Sequence, residues 1–170
     1  MLHITLLTIG NIYEKSNVTS ANSSIEYVSF GMNYSAKFTL LQKYQLEIRP
    51  GITFGGDYWG PEIGFYIRRQ IVKPVFVIVG LNLHQNIRKS NDGGFSSSAT
   101  TDYLYTNPSF ALGWAVFKKM SIILSANKMH DGRIYSSFSI DPNAMASIRY
   151  EENMNWIFKL GFELGTNMFE

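Results

Sequence analysis

Thirteen Asp or Glu, fifteen Lys or Arg, three His and no Cys are scattered through 170 residues, and any chemistry must be sought among them. Without thiols there are no disulfides and no thiolate metal sites. Three dispersed His are too few for a structural zinc site. Neither a metal nor a cofactor is therefore expected. Glu62 and His84 are the one pair that could meet across neighbouring strands, and a His–carboxylate pair beside a Ser would suit an acyl hydrolase. No GxSxG and no His-x-Ser step accompanies them, so no catalytic residue is assigned. His130-Asp131-Gly132 reads as turn chemistry. The stretch SNDGG at 90–94 lacks the spaced oxygen ligands of a cation loop. Asn17-Val18-Thr19 fits a glycosylation acceptor, a pattern short enough to recur by chance.

The charges with the most regular placement are Lys37, Glu47, Arg49, Glu62, Arg68, Lys159 and Glu163. Each lies on the less apolar parity of an alternating segment. Pairing through a short turn near 42 sets Lys37 opposite Glu47. Pairing through 57–60 sets Glu47 opposite Arg68, with Arg49 one layer away. Lys159 and Glu163 add opposite charges near the C-terminal end. If these groups are enclosed they must pair, because a lone buried charge costs several kcal/mol. An ionic, hydrogen-bonded plug is the expected result.

The elements that would hold these groups are strands. The segment VSFGMNYSAKFTL at 28–40 puts Val, Phe, Met, Tyr, Ala, Phe and Leu on one parity and Ser, Gly, Asn, Ser, Lys and Thr on the other. Such period-2 alternation recurs along the chain, and helical periodicity is nearly absent. Strands are predicted near 2–13, 25–40, 43–56, 61–72, 74–88, 102–117, 119–129 and 154–168. The facing of the first is ambiguous, since Leu2, Ile4 and Leu6 oppose Leu7 and Ile9 in parity. Residues 133–150 could extend the flanking strands or form their own hairpin. Connections alternate between long or moderate (14–24, 89–101 and 130–153 long, 57–60 moderate) and short (41–42, 73, 118). Joined as antiparallel neighbours, the strands put all short turns at one end, as outer-membrane barrels do.

The apolar parity is too bulky to face inward. Tyr44, Leu46, Ile48, Ile52 and Phe54 share it with Val75 to Leu83, with Leu104 to Val116, and with Trp156 to Leu164. An eight-stranded barrel has an interior only just wide enough for side chains to fill. The opposite parity mixes Gly with Gln45, Glu47, Arg49, Glu62, Arg68, Asn107, Lys159 and Glu163, which suits a crowded lumen better than a solvated surface. The expected fold is all-β: one domain over 1–170, an eight-stranded antiparallel up-and-down transmembrane β-barrel. Phe30, Leu46, Val79, Leu112 and Phe162 should face lipid. Tyr13, Tyr27, Tyr58, Trp59, Tyr103, Tyr105 and Trp156 would form one interfacial girdle, and Tyr44, Trp114 and Phe117 the other. Pro50, beside Gly51, suggests a bulge, and Pro108 a local break in pairing.

Segments such as YQLEIRPGITFG (44–55) and WIFKLGFELG (156–165) give the chain a resemblance to the small eight-stranded outer-membrane barrels of the OmpA/OmpX type. It covers essentially the whole chain and rests on architecture. Members usually end in an aromatic on the lipid-facing parity, whereas Phe169 here is penultimate and on the other. The resemblance implies an integral outer-membrane protein with both termini in the periplasm. Its expected work is structural or partner-binding, including a place as an accessory subunit of an envelope complex. Partners would be outer-membrane lipid and a protein meeting loops 14–24, 89–101 or 130–153, or the lipid face. The alternatives are a narrow small-solute or ion pore, a lipid-modifying barrel enzyme and a soluble lipid-binding calyx. A net charge of +2 with 16% charged residues and no basic run argues against nucleic acid. The longest apolar run, Val75–Leu81, is far short of the roughly 20 residues of a spanning helix. MLHITLLTIG has neither the basic region nor the cleavage site of a signal peptide, so an exported form of this sequence would be a mature or trimmed one.

Overall fold

The structure is a computed structural model describing residues 2–16, 22–54, 59–87, 104–130, 133–141 and 146–165, with side chains described over 2–10, 30–54, 59–87, 104–130 and 153–165. Alternating sequence becomes ten antiparallel segments: β1 (Leu2–Ser16), β2 (Asn22–Tyr34), β3 (Ala36–Leu41), β4 (Tyr44–Phe54), β5 (Gly60–Val72), β6 (Val75–Gln85), β7 (Leu104–Phe117), β8 (Met120–Lys128), β9 (Arg133–Asp141) and β10 (Ala146–Leu164). Pairing runs in the order β1, β2, β4, β5, β6, β7, β8, β10, with β3 added on β4 and β9 on β10, and β10 returns to pair with β1, closing the sheet. β2 and β3 are one stave interrupted at Ser35. β8 and β9 both pair with β10 and form another. The ten segments therefore build eight staves, an all-β up-and-down barrel, and no helix occurs among the described residues.

Two-residue turns at 42–43, 73–74 and 118–119 lie at one end, together with Leu2 and Leu164, which are cross-strand partners. The opposite end is taller than alternation implied. The expected loop 14–24 is largely strand, since Glu14 pairs with Asn22 and only 17–21 intervene. The expected loop 130–153 holds a hairpin: β9 pairs along the first half of β10, from Ala146 opposite Asp141 to Asn153 opposite Arg133. The two readings of 133–150 merge, because that hairpin also prolongs the staves below it. Loop 89–101, Tyr58, Tyr103 and the end at Phe169 and Glu170 lie outside the described residues.

Irregularities fall where side-chain parity demanded them. In β1 the registers with β10 and β2 both shift past Thr5, so Leu6 is looped out. His3 and Thr5 point inward below the shift and Thr8 above it, so each half of β1 keeps its own facing. Pro50 does not bulge: β4 pairs with β5 without a shift, Pro50 opposite Ile63. The break lies on the other neighbour instead. β2 contacts β4 up to Asn33–Gly51 and β3 resumes at Ala36–Ile48, so the missing Pro50 donor meets a gap in that stave. Pro108 marks an end of pairing, since the β7–β8 register begins one residue later at Ser109–Asn127.

The wall is apolar outside and polar inside. Phe30 (52%), Leu46 (37%), Val79 (52%) and Leu112 (49%) are exposed. Phe162 shares that outward face, half-buried between its partners Ile4 and Ile122. Phe30 and Phe54 stack on it as a cross-strand pair, 5.3 Å between centroids. An apolar belt this continuous is foreign to soluble monomers and usual for membrane barrels. Trp59 and Trp156 stand exposed near the tall end, and Trp114 and Phe117 near the short-turn end. Tyr105 is an exception to the expected girdle. It is buried in the lumen, its ring stacked at 6.1 Å on His84.

The lumen as candidate functional site

The inward parities of five staves converge on a lower ionic layer in the half nearer the short turns. Arg68 on β5 lies at its centre. Its guanidinium forks onto Glu163 of β10, with Nη1 donating to Oε1 at 3.0 Å and Nη2 to Oε2, and Nη2 also meets Glu47 Oε2 at 3.1 Å. Glu163 accepts a second cation, Lys37 of β3, at 2.6 Å. Glu47 accepts Nε and Nη2 of Arg49 at 3.0 and 2.7 Å, and the Ser35 hydroxyl. His3 of β1 approaches Glu163 at 3.7 Å. Glu47, Arg68 and Glu163 are withdrawn from solvent almost completely. Forked, charge-assisted bonds are the arrangement that offsets the cost of enclosing such groups.

A second layer lies nearer the tall end and is centred on Glu62 of β5. Its Oε1 accepts the Asn33 amide at 2.6 Å, and its Oε2 accepts Asn82 at 3.1 Å and Lys159 of β10 at 2.9 Å. His84, paired with Glu62 across β5 and β6, brings Nδ1 to 4.0 Å. Both Glu62 oxygens thus accept from amides or the Lys159 ammonium, whose charge balances the carboxylate, while His84 stays beyond hydrogen-bond distance of Glu62. Around this layer Tyr105, Asn107, Met129 and Met154 are buried, and Asn86 accepts the backbone N–H of Trp59 at 3.1 Å.

All seven charges singled out in the sequence enter these two layers, although some partners differ. Lys37 is opposite Glu47 in register, and the ion pair it makes is with Glu163. Glu47 is opposite Tyr66, and Gln45 is opposite Arg68. The expected strand pairing was off by two residues, and the length of the Arg68 side chain restores the contact with Glu47. Sequence reasoning missed the aromatic packing against the lower layer. Phe76 lies under the Arg68 guanidinium at 4.3 Å and Tyr66 under that of Arg49 at 4.7 Å, geometry in which the ring face stabilises the cation. With Ile78, Ala111 and Ile123 these rings form an apolar cluster on one side of the bore. Phe76 and Ile78 lie between Val75, Val77 and Val79, where both parities are apolar and alternation carries no signal. Gly64 and Gly113 supply the room: a Cβ on Gly64 would enter the Tyr66 ring and one on Gly113 the Phe76 ring. Gln45, also fully buried, has neither side-chain amide atom in a hydrogen bond. Among the described residues no group of three His, Asp or Glu could hold a metal ion.

The fold is similar to that in the crystal structure of the outer membrane protein OprG from Pseudomonas aeruginosa. The TM-score is 0.52 over 96% of this chain and 94% of that one, at 10% identity. No protein-family model matches the chain, and no curated protein does.

Proposed function

We propose that the chain is an integral bacterial outer-membrane barrel with a sealed lumen, acting as a structural or partner-binding envelope protein. The observation that carries this reading is the pair of crossbars through the bore. Arg68–Glu163 and Glu62–Lys159 both run from β5 to β10, staves on opposite walls. With Phe76 and Tyr66 packed against the cations, they obstruct the bore, and an eight-stranded bore has little room to spare. The apolar belt supports membrane insertion, and short turns gathered with both strand ends support a periplasmic placement of the termini.

Since the bore is filled and Glu62 is engaged by Asn33, Asn82 and Lys159, the work of the protein falls to its surfaces and not to catalysis or conduction. The tall end carries the surface for a protein partner, as expected of an accessory subunit in an envelope complex. Planar-bilayer recording of the purified barrel tests the sealed lumen. No unitary conductance is expected from the wild type, and Glu163→Gln should admit brief openings. Steady wild-type channels would overturn the sealed lumen in favour of the narrow pore. Crosslinking in whole cells followed by purification in mild detergent tests the partner. Crosslinks should map to 14–24, 89–101 or 130–153.

A further inference from the structure

The outward face of β4, β5 and β6 is not a smooth apolar wall. A groove of about 600 Å³ runs along it, lined by Leu46, Ile67, Val79 and Leu81, and ends at Tyr44 and Arg69. Small-molecule sites span ~300–1,000 Å³. Arg69 is outward-facing and exposed, and is the one charged side chain on the outward face of these three strands among the described residues. It has no carboxylate partner there. Its guanidinium instead lies 5.2 Å above the Tyr44 ring, with Tyr44 its cross-strand neighbour. The turn below brings Lys43 alongside, its carbonyl accepting the Gln70 amide at 3.1 Å. An unpaired cation on a lipid-facing wall is costly unless it lies near the interface and finds an anion. Arg69 lies between the membrane-facing groove and the short-turn rim, where phosphates of the bilayer lie.

We propose that this groove is a binding site for one anionic glycerophospholipid. An acyl chain would lie against Leu46, Ile67, Val79 and Leu81, and the phosphate would be gripped by the Arg69 fork against Tyr44. The groove supplies the apolar half of such a ligand. Arg69 supplies the planar double donor that suits a phosphate better than an ammonium does. The inference rests on the membrane reading of the barrel, and its test starts only from protein that has refolded and shifts on gels when heated, so that the two can fail separately.

The test is native mass spectrometry of the refolded barrel in detergent, titrated in parallel with phosphatidylglycerol and phosphatidylethanolamine of equal chain length. Wild type should retain a single phosphatidylglycerol about fivefold better than phosphatidylethanolamine, the weight of one interfacial cation. Arg69→Gln should lose that preference, Arg69→Lys should keep part of it, and Val79→Trp should lower retention of both lipids. Lys119→Gln, in the β7–β8 turn, whose strands do not line the groove, should match wild type. Equal retention of the two lipids, an unchanged preference in Arg69→Gln, or an equal loss in Lys119→Gln would overturn the site.

Discussion

Arg68 and Glu163 meet in the bore from opposite walls. Between β5 and β10 the sheet runs through β6, β7 and β8 one way, and through β4, the β2/β3 stave and β1 the other. Removing Glu163 strands Arg68 and Lys37 without their shared carboxylate. Glu163→Ala should therefore destabilise by about 3–5 kcal/mol. Urea unfolding in lipid vesicles, followed by Trp fluorescence, measures it. Replacing Arg68 and Glu163 together by Leu should cost less than the sum of the single changes, because neither leaves the other unpaired, although Lys37 still loses its carboxylate. Additive losses would mean that the two side chains do not act as a pair.

The outward assignment predicts an asymmetry between faces. Val79→Arg or Leu112→Arg should cost about 2–4 kcal/mol near the bilayer midplane. Spin labels at 30, 46, 79, 112 and 162 should be relaxed by oxygen and shielded from a water-soluble nickel complex. Strong nickel accessibility would place that face in water and turn the barrel inside out.

Gly113 and Phe76 form a size-matched pair, Gly113 opposite Phe76 in register with its missing Cβ filled by the ring. Gly113→Ala should cost ~1–3 kcal/mol through overpacking. Adding Phe76→Leu should recover part of that loss. If Gly113→Ala is neutral alone, the ring has somewhere else to go and the lumen is looser than described.

Replacing 89–101 by a short polar turn should leave the barrel able to fold, since closure entropy changes slowly with loop length. Heat-modifiable gel migration should be unchanged, while crosslinks to a partner through that segment should disappear. Failure of the shortened chain to fold would give 89–101 a structural role.

Sequence alternation revealed the staves and the facing of most side chains, because a membrane barrel sorts apolar and polar residues by parity on every strand. It was uninformative wherever that contrast vanished. In β6 both parities are apolar, hiding Phe76 and Ile78. In β1 the bulge at Leu6 switches the parity midway, so both conflicting readings were right over half the strand. Tyr105 looked like a girdle residue by its position near a strand end, and only its parity opposite His84 reveals that it faces inward. The charged residues were legible as a set, and so was the Glu47–Arg68 contact, but the cross-bore partners of Lys37, Glu62, Lys159 and Glu163 were not. Long Arg and Lys side chains reach across the bore to strands that no local pairing brings together.

The two crossbars have a bearing on how the chain finds its final alignment. β5 offers a cation at Arg68 and an anion at Glu62, and β10 answers with Glu163 and Lys159 in matching order. They act as a two-tooth key. Sliding β10 along its neighbours by the step from Lys159 to Glu163 would bring an ammonium to the Arg68 guanidinium and leave Glu62 facing no cation. Neighbouring strands sense such a slip weakly, since an even step preserves which residues face lipid. The repulsion across the bore senses it strongly. The register of β10 is thereby held by a strand on the far wall as well as by its own neighbours.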